Sequence, residues 1–338
     1  NVVAGNPLCH LSTDWANPPA AAEPTISTWM AELQRASAFI EEINSLWQDP
    51  DLDGVRERES TVAMVFRPFH EMTGISHWWA GRFFRADPTM CNLTAPQAYR
   101  TVWRRTIEYI IGEDDPATTQ IEGLDRHEFL FAWSPGRPTV TTEWRKYHPN
   151  FRLPGRWGLD DYVDIAGLDI YETNIAAFRS QLARDVTAMD EFVQGQATGK
   201  RDILAITEFG ARKGLAGRID ADWYTHGLLD TLVDTGVVDR IAYAMTWTNR
   251  TSDQFWVPVP CFNVEGCPDL TGFDQRFVST GNPEVVDWGF SDFIASPITT
   301  LQNDLPGWWR MPEPRVEPYL PCPSPDVRGT HVLVPCAR

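Results

Sequence analysis

The sequence is poor in positive charge and has no long apolar run. Lys and Arg together number 29 against 46 Asp and Glu, which gives a formal net charge of −17. This charge disfavours nucleic acids and anionic membranes as partners, because both repel an acidic surface. No uninterrupted apolar stretch reaches the roughly 18 residues that a membrane-spanning helix needs. The two absences favour a soluble protein that acts on a neutral ligand.

The chain also lacks the short motifs of zinc and nucleotide sites. Its 6 cysteines form no Cys-x-x-Cys pair. His70-Glu71 is not followed by a second histidine at the spacing of the zinc motif, because residue 74 is glycine. No glycine-rich loop follows the first predicted strand, which argues against a dinucleotide-binding fold. We therefore predict neither a metal nor an organic cofactor.

The cysteines instead indicate a secreted, disulfide-bonded protein, because they are even in number. Two possible glycosylation sequons, which start at Asn92 and Asn249, point the same way. The chain begins at Asn1 without a methionine, as expected of a processed product. We predict an extracellular location. The predicted pairs are Cys261–Cys267, Cys322–Cys336 and, by elimination, Cys9–Cys91.

Tryptophan is abundant, with 15 residues, which is more than a core of this size needs. Indole rings offer flat apolar surfaces that can stack on the C–H faces of sugars. We assign some of the tryptophans to the core and others to sugar binding.

Five short apolar runs, mostly separated by helix-like segments, recur at the spacing of a strand–helix unit. The predicted strands are Val62–Phe66, Glu128–Trp133, Val163–Ile170, Ile203–Thr207 and Ile241–Trp247. The predicted helices among them are Gln97–Ile111, Ile175–Val193 and Asp220–Val233, the last with Asp220 as its N-cap. Such alternation predicts parallel strands covered by helices. Polar residues at the strand ends favour a (β/α)8 TIM barrel over an open sheet.

The two ends of the chain fit this barrel less well. Before Val62 there is one more strand candidate, Asn1–Ser12, and one helix, Thr25–Leu46, where a complete barrel needs two further strand–helix units. The first strands are therefore either missing from this chain or unrecognised. After a barrel domain of residues 1–305, we predict a Pro-rich, disulfide-pinned tail of residues 306–338 that packs on the barrel.

Two of the predicted strands lead into a glutamate. Val62–Phe66 is followed by Arg67-Pro68-Phe69-His70-Glu71, and Ile203–Ile206 by Thr207-Glu208. A carboxylate at the end of a buried strand is costly to desolvate unless a site uses it. Retaining glycosidases place two carboxyl groups about 5–5.5 Å apart, one to attack the anomeric carbon and one to protonate the leaving oxygen. The pair therefore predicts hydrolysis of a glycosidic bond.

Several segments, all in the right order between Pro7 and Leu305, resemble glycoside hydrolase family 26, which consists chiefly of β-mannanases. These segments are Arg67–Gly74 with Trp78–Gly81, Phe131–Pro135, Gly167–Tyr171, Ala205–Gly210 and Tyr243–Asn249. The resemblance implies a (β/α)8 barrel without a cofactor. It also implies endo-hydrolysis of β-1,4-mannosidic bonds in mannan, glucomannan or galactomannan, or in manno-oligosaccharides, by retaining double displacement.

The resemblance also implies roles for individual residues. Glu71 is expected to be the acid/base and Glu208 the nucleophile. His70 is expected to contact the sugar beside the nucleophile, and Tyr171 to hold the Glu208 carboxylate by a hydrogen bond. This donor and a nearby Arg67 are expected to keep the nucleophile ionised.

Other residues are expected to bind the sugar or to support the site. The resemblance implies that Asp169 supports the site and that Trp247 forms the floor beneath the sugar. An aromatic surrounding such as Trp78 or Trp79 favours the protonated form of the Glu71 carboxyl group. We expect one of these two rings to face the cleft and the other to face the core. Trp256, just after the last predicted strand, is a further cleft residue.

One position departs from the family pattern and leaves the specificity open. Many members carry an aromatic residue where this chain has Ser76, so sugar binding on the leaving side is in doubt. One alternative is the same machinery on β-1,3-xylan or mixed-linkage β-glucan. Another is a non-catalytic carbohydrate-binding protein, against which the presence of both Glu71 and Glu208 argues. For a secreted hydrolase a monomer is the default expectation.

Overall fold

The computed structural model describes residues 6–49, 62, 64–74, 76–111, 129–150, 162–196, 201–212, 222–246, 293 and 296. The strands in this part are β1 (Met64–Phe66), β2 (Phe129–Trp133), β3 (Ile165–Glu172), β4 (Ile203–Ala211) and β5 (Ile241–Thr246). The α-helices are α1 (Pro7–Leu11), α2 (Glu23–Gln48), α3 (Ala95–Ile111), α4 (Ile175–Gln194) and α5 (Asp230–Asp234). A π-helix, Trp223–Leu229, precedes α5, and short 3-10 helices span Gly81–Phe83, Pro138–Val140, Trp144–Tyr147 and Val238–Arg240.

The five strands form one sheet in which each strand neighbours the one before it in the chain, in the order β1-β2-β3-β4-β5. β1 pairs in parallel with β2, with Val65 opposite Leu130, and β2 pairs in parallel with β3, with Ala132 opposite Ile165. Parallel neighbours require a crossover between them, which helices such as α3 and α4 supply. This is the arrangement that the alternating pattern predicts.

Strand starts agree with the sequence prediction within two residues, whereas β3 and β4 end two and four residues later than predicted. β3 continues to Glu172 and β4 to Ala211, past the apolar runs that predicted them. β4 is buried from Leu204 to Ala211. Glu208 therefore lies inside a strand and not at its end. Thr207 and Glu208 are buried, and Tyr171 and Glu172 are half-buried, so the change from apolar to polar residues does not mark where either strand stops.

The predicted strand Asn1–Ser12 is wrong in its described part, where Pro7–Leu11 forms α1. Pro7 fits the first helical turn because its fixed φ suits a helix and its missing N–H is not needed there. The segment from Pro7 to Leu11 contains no β-branched residue that would favour a strand. The predicted helix Thr25–Leu46 is confirmed as α2.

The predicted disulfide between Cys9 and Cys91 is present and ties α1 to the segment that precedes α3. The other two predicted disulfides, the tail from residue 306 and the N-cap Asp220 lie outside the described residues. None of the helices described here combines the length and the apolar character of a membrane span.

The chain divides into two compact units, which share three of the strands. The first contains the described residues within Asn1–Asp169, Asp185–Thr207 and Arg240–Tyr243, and the second those within Ile170–Arg184, Glu208–Asp239 and Ala244–Arg338. β3, β4 and β5 thus begin in the first unit and end in the second.

Each unit has a core of its own. In the first, Ala132, Ile165 and Ala205 from three strands form a buried cluster against which Tyr243 packs. In the second, the ring of Phe178 lies 4.8 Å from that of Trp223 and 6.3 Å from that of Phe209. Both cores thus bury apolar side chains, and aromatic rings pack against one another in the second unit.

Candidate active site

Glu71 lies in a tight turn that follows β1. Its backbone N–H donates to the carbonyl oxygen of Ser134 at 2.8 Å. The φ angles of Phe69 and Glu71 are 50° and 53°, in the left-handed region that bulky side chains rarely adopt. Backbone strain of this kind costs about 1–3 kcal/mol and is concentrated at functional sites. Gly136 allows the close packing, because a Cβ there would lie 3.3 Å from the Cα of Glu71.

The Glu71 carboxylate lies beside two histidines, which in turn contact an indole. Its side chain is 30% exposed, and the Nε2 atom of His77 lies 3.4 Å from its Oε2. The His77 ring stacks on Trp79, with the ring centroids 4.5 Å apart and the planes within 2°. The indole N–H of Trp79 in turn donates to the backbone carbonyl of His70 at 2.6 Å. The acid predicted from the sequence is therefore held in a defined polar and aromatic setting.

His70 is uncharged at neutral pH. Its burial, followed by the nearby Arg67 and His77, lowers its pKa to about 4. The His70 and His77 rings lie 4.7 Å apart, so a second positive charge at this place is disfavoured. A neutral imidazole can donate one hydrogen bond and accept another, as contact with a sugar hydroxyl requires.

Trp78 and Trp79, adjacent in the sequence, share Phe69 as a partner and differ in their other contacts. Trp78 makes edge contacts with the rings of Phe69 and Trp29, 6.1 Å and 6.3 Å away. Phe69 is 3% exposed and belongs to the hydrophobic core. Trp79 also lies 6.0 Å from the ring of Phe69, and it contacts the histidines beside Glu71 as well.

Arg67 forms an ion pair with the buried Asp169. Its Nη1 atom donates to both carboxylate oxygens of Asp169, at 3.1 and 3.2 Å, and to Ser134 Oγ at 2.9 Å. Thr207 Oγ1 donates to Asp169 Oδ1 at 2.7 Å. Burial raises the pKa of the neighbouring Tyr243 to about 12, with smaller effects from Arg67 and Asp169. From the sequence, Arg67 was expected near Glu208, and its ion pair with Asp169 was not predicted.

In the second unit, Glu208 is 3% exposed and its carboxylate accepts a hydrogen bond. The hydroxyl of Tyr171 donates to Glu208 Oε2 at 2.8 Å, which is the contact that the resemblance implies. Backbone pairing supports this geometry, because the N–H of Arg212 donates to the carbonyl of Glu172 at 2.7 Å. A hydrogen-bond donor to a buried carboxylate favours its ionised form.

Two of the predicted sugar-binding residues, Trp247 and Trp256, lie outside the described residues. Conversely, His77, Ser134 and Thr207 contact predicted site residues but were not found from the sequence. Thr207 could have been found, because it directly precedes Glu208 on the same strand. His77 carries no such signal, because its contact with Glu71 depends on how the loop after β1 folds back, with Glu71 itself in a left-handed conformation.

A sequence profile and two curated proteins match the chain. The profile of Glycosyl hydrolase family 26 matches residues 37–255. The chain is 24% identical over 313 residues to a mannan endo-1,4-beta-mannosidase of Bifidobacterium adolescentis, covering 87% of this chain and 27% of that protein. It is 25% identical over 264 residues to the mannan endo-1,4-beta-mannosidase A and B of Caldalkalibacillus mannanilyticus, covering 77% and 40% respectively. The chain thus spans well under half the length of either relative.

Solved structures of similar fold confirm the predicted barrel class. A modular endo-beta-1,4-mannanase from Cellulomonas fimi aligns with a TM-score of 0.51 at 24% identity, over 83% of this chain and 50% of that chain. The catalytic domain of a family 26 endo-beta-1,4-mannanase from Bacillus sp. JAMB-750 aligns with a TM-score of 0.60 at 21% identity, over 91% and 64%. At these identities the similarity establishes the fold alone.

Proposed function

This chain belongs to glycosyl hydrolase family 26, and we propose that it cleaves β-1,4-mannosidic bonds within mannan, glucomannan or galactomannan, with retention of configuration. The family profile covers more than half of the chain. Both curated relatives cited above are described as mannan endo-1,4-beta-mannosidases. The observation that carries the proposal is the buried Glu208 carboxylate with the Tyr171 hydroxyl as its donor.

Glu208 is proposed as the nucleophile. A nucleophilic carboxylate must be ionised and must keep a fixed direction. The hydrogen bond from Tyr171 supports both requirements, because it stabilises the anion and restrains the rotation of the carboxylate. Attack on the anomeric carbon breaks the glycosidic bond and forms a glycosyl-enzyme ester.

Glu71 is proposed as the acid and base. It protonates the departing glycosidic oxygen and then removes a proton from the water that hydrolyses the ester. Its partly exposed carboxyl group can exchange protons with solvent between the two steps. In barrel enzymes the catalytic residues follow or end the strands, and Glu71 follows β1 while Glu208 lies in the C-terminal half of β4.

The remaining predicted residues are proposed to bind or position the sugar. His70 and Trp79 lie beside Glu71, and the Arg67–Asp169 pair gives the first unit a rigid polar group. Trp78, Trp247 and Trp256 remain predicted sugar contacts. We also propose an extracellular location, which the Cys9–Cys91 disulfide supports because such bonds persist in oxidising compartments.

The test is to incubate the purified protein with glucomannan, galactomannan, β-1,3-xylan and barley β-glucan and to measure new reducing ends. Release from the mannans alone, with oligosaccharide products of mixed length, is the expected result. Release from xylan or β-glucan alone would correct the substrate and keep the mechanism. No release from any of the four would overturn the enzymatic proposal in favour of a sugar-binding protein.

A further inference from the structure

Two imidazoles and one carboxylate come together in the turn after β1. The ligand-type atoms of His70, Glu71 and His77 all lie within 4.8 Å of one another. We propose that these three side chains form a binding site for a divalent transition metal ion of the zinc type. Metal bound there stops hydrolysis, because it occupies the carboxylate that has to transfer protons.

The donor set suits zinc in both chemistry and spacing. Two histidines and one glutamate form a known zinc ligand set, with positions left for water. Ligand atoms about 2.1 Å from a tetrahedral zinc ion are about 3.4 Å from each other. His77 Nε2 and Glu71 Oε2 are already 3.4 Å apart. The third atom, on His70, lies within 4.8 Å of the other two and has to come closer to complete the coordination.

Neighbouring groups hold the three ligands before any metal arrives. The ring of His77 lies flat against Trp79, and the Trp79 indole N–H fixes the backbone carbonyl of His70. The backbone N–H of Glu71 is bound to Ser134. Ligands restrained in this way lose little conformational entropy on binding, which raises the affinity of a three-ligand site.

The charges around the site also permit a cation. The arginine that acts electrostatically on His70 is Arg67. Its charge is paired with the buried carboxylate of Asp169, so its repulsion of a second cation is reduced. Glu71 supplies a negative charge, and the chain as a whole carries −17.

Inhibition by the metal rests on the proposed function, whereas binding of the metal does not. In the proposed mechanism Glu71 releases a proton to the leaving oxygen. A carboxylate bound to zinc carries no proton to donate and is a weaker base toward water. Zinc is therefore expected to remove activity reversibly, and a chelator is expected to restore it.

The binding test is calorimetric titration of the chelator-treated full chain with zinc chloride. The variant His77→Phe removes the nitrogen ligand but keeps a flat ring against Trp79. If His77→Phe does not fold, His77→Gln is titrated in its place. The matched control is His226→Phe, at an exposed histidine of the second unit. We expect one zinc per chain, with binding at least about tenfold weaker in the His77 variant and unchanged in the control. Equal binding in all three proteins, or none up to about 1 mM zinc, would overturn the site.

The activity test compares each protein with and without zinc, relative to its own zinc-free rate on glucomannan. Saturating zinc is expected to lower the rates of the wild type and of His226→Phe by about tenfold or more, and that of His77→Phe by less than about twofold. Binding without inhibition would overturn the inhibitory role. If no glycan is hydrolysed at all, the proposed function fails, while the calorimetric titration still decides the metal site.

Discussion

At the scale of single residues, the two glutamates proposed as catalytic have contrasting surroundings. Glu208 is almost fully buried and accepts a hydrogen bond from a tyrosine. Glu71 is partly exposed, beside His77, in a strained turn. A retaining glycosidase needs carboxyl groups with different tasks, one kept ionised and one able to exchange protons. The two environments match the assignment of Glu208 as nucleophile and Glu71 as acid/base.

Replacing the nucleophile is the most direct test of this assignment. Glu208→Gln keeps the size of the side chain but cannot form the glycosyl-enzyme, so we expect kcat to fall by about 10⁴-fold or more. Initial rates on glucomannan give the measurement. The matched control is Glu172→Gln, a glutamate at the end of β3 that is expected to keep near wild-type activity. A Glu208→Gln rate within tenfold of wild type would contradict the assignment.

Removing the tyrosine donor tests whether the Tyr171 hydroxyl acts on catalysis. Tyr171→Phe leaves the ring but removes the hydrogen bond to Glu208, and we expect kcat to fall by about 10²-fold, as for other preorganised donors. The matched control is Tyr162→Phe, which removes a tyrosine–carboxylate hydrogen bond to Glu108 elsewhere in the chain. Equal kcat values for the two variants would mean that the Tyr171 hydroxyl does not assist Glu208.

The sequence indicated the acidic residues of the site but not all of their partners. Glu71 and Glu208 could be predicted because each follows an apolar run, and Tyr171 followed from the family resemblance. His77 could not, because its approach to Glu71 depends on the path of the loop after β1, where Glu71 itself is left-handed, and no spacing rule describes this path. The pairing of Arg67 with Asp169 depends on which strands are neighbours and in which register.

At the scale of the elements, apolar runs were enough to find all five described strands. Parallel strands covered on both faces have nearly continuous apolar sequences, which makes them recognisable. Their ends were harder to predict because polar residues extend both β3 and β4. Thr207 bonds to Asp169, and the half-buried Tyr171 bonds to Glu208, so strand pairing continues where the apolar sequence stops. The hydrogen-bonded pairs Thr207–Asp169 and Tyr171–Glu208, which made the strand ends hard to predict, also belong to the proposed site.

Close approach of β3 and β4 depends on a glycine. A Cβ at Gly167 would lie 2.4 Å from Thr207 Cγ2 and 2.5 Å from its Oγ1, too close for any real contact. Gly167→Ala is therefore expected to displace Thr207 and to lower the free energy of unfolding by about 1–3 kcal/mol. The loss is measured by urea denaturation.

The matched control for this strand contact is Gly227→Ala in the π-helix before α5. A Cβ there would meet the nearest atom, on Phe178, at 3.5 Å, which is ordinary van der Waals contact. We expect its stability to stay within about 0.5 kcal/mol of wild type or to rise. If both alanine variants were equally stable, β3 and β4 would not need a glycine at residue 167.

At the scale of the whole molecule, one covalent link closes a long loop of the chain. The Cys9–Cys91 disulfide joins residues that are 82 positions apart in the sequence. It connects α1 to the segment before α3, and both sulfur-bearing residues are buried. Closing a loop of this length restricts the unfolded chain strongly, so the bond is expected to stabilise the fold by about 2–5 kcal/mol.

The double variant Cys9→Ala/Cys91→Ala measures this contribution in urea under oxidising conditions. We expect the free energy of unfolding to fall by about 2–5 kcal/mol, while kcat of the protein that remains folded changes little. The reason is that α1 and the turn that carries Glu71 are separate elements, so the bond stabilises the molecule without shaping the site. A variant as stable as wild type would show that the link adds nothing to the packing of α1 against α3. A stable variant with a large loss of kcat would instead show that the disulfide positions Glu71.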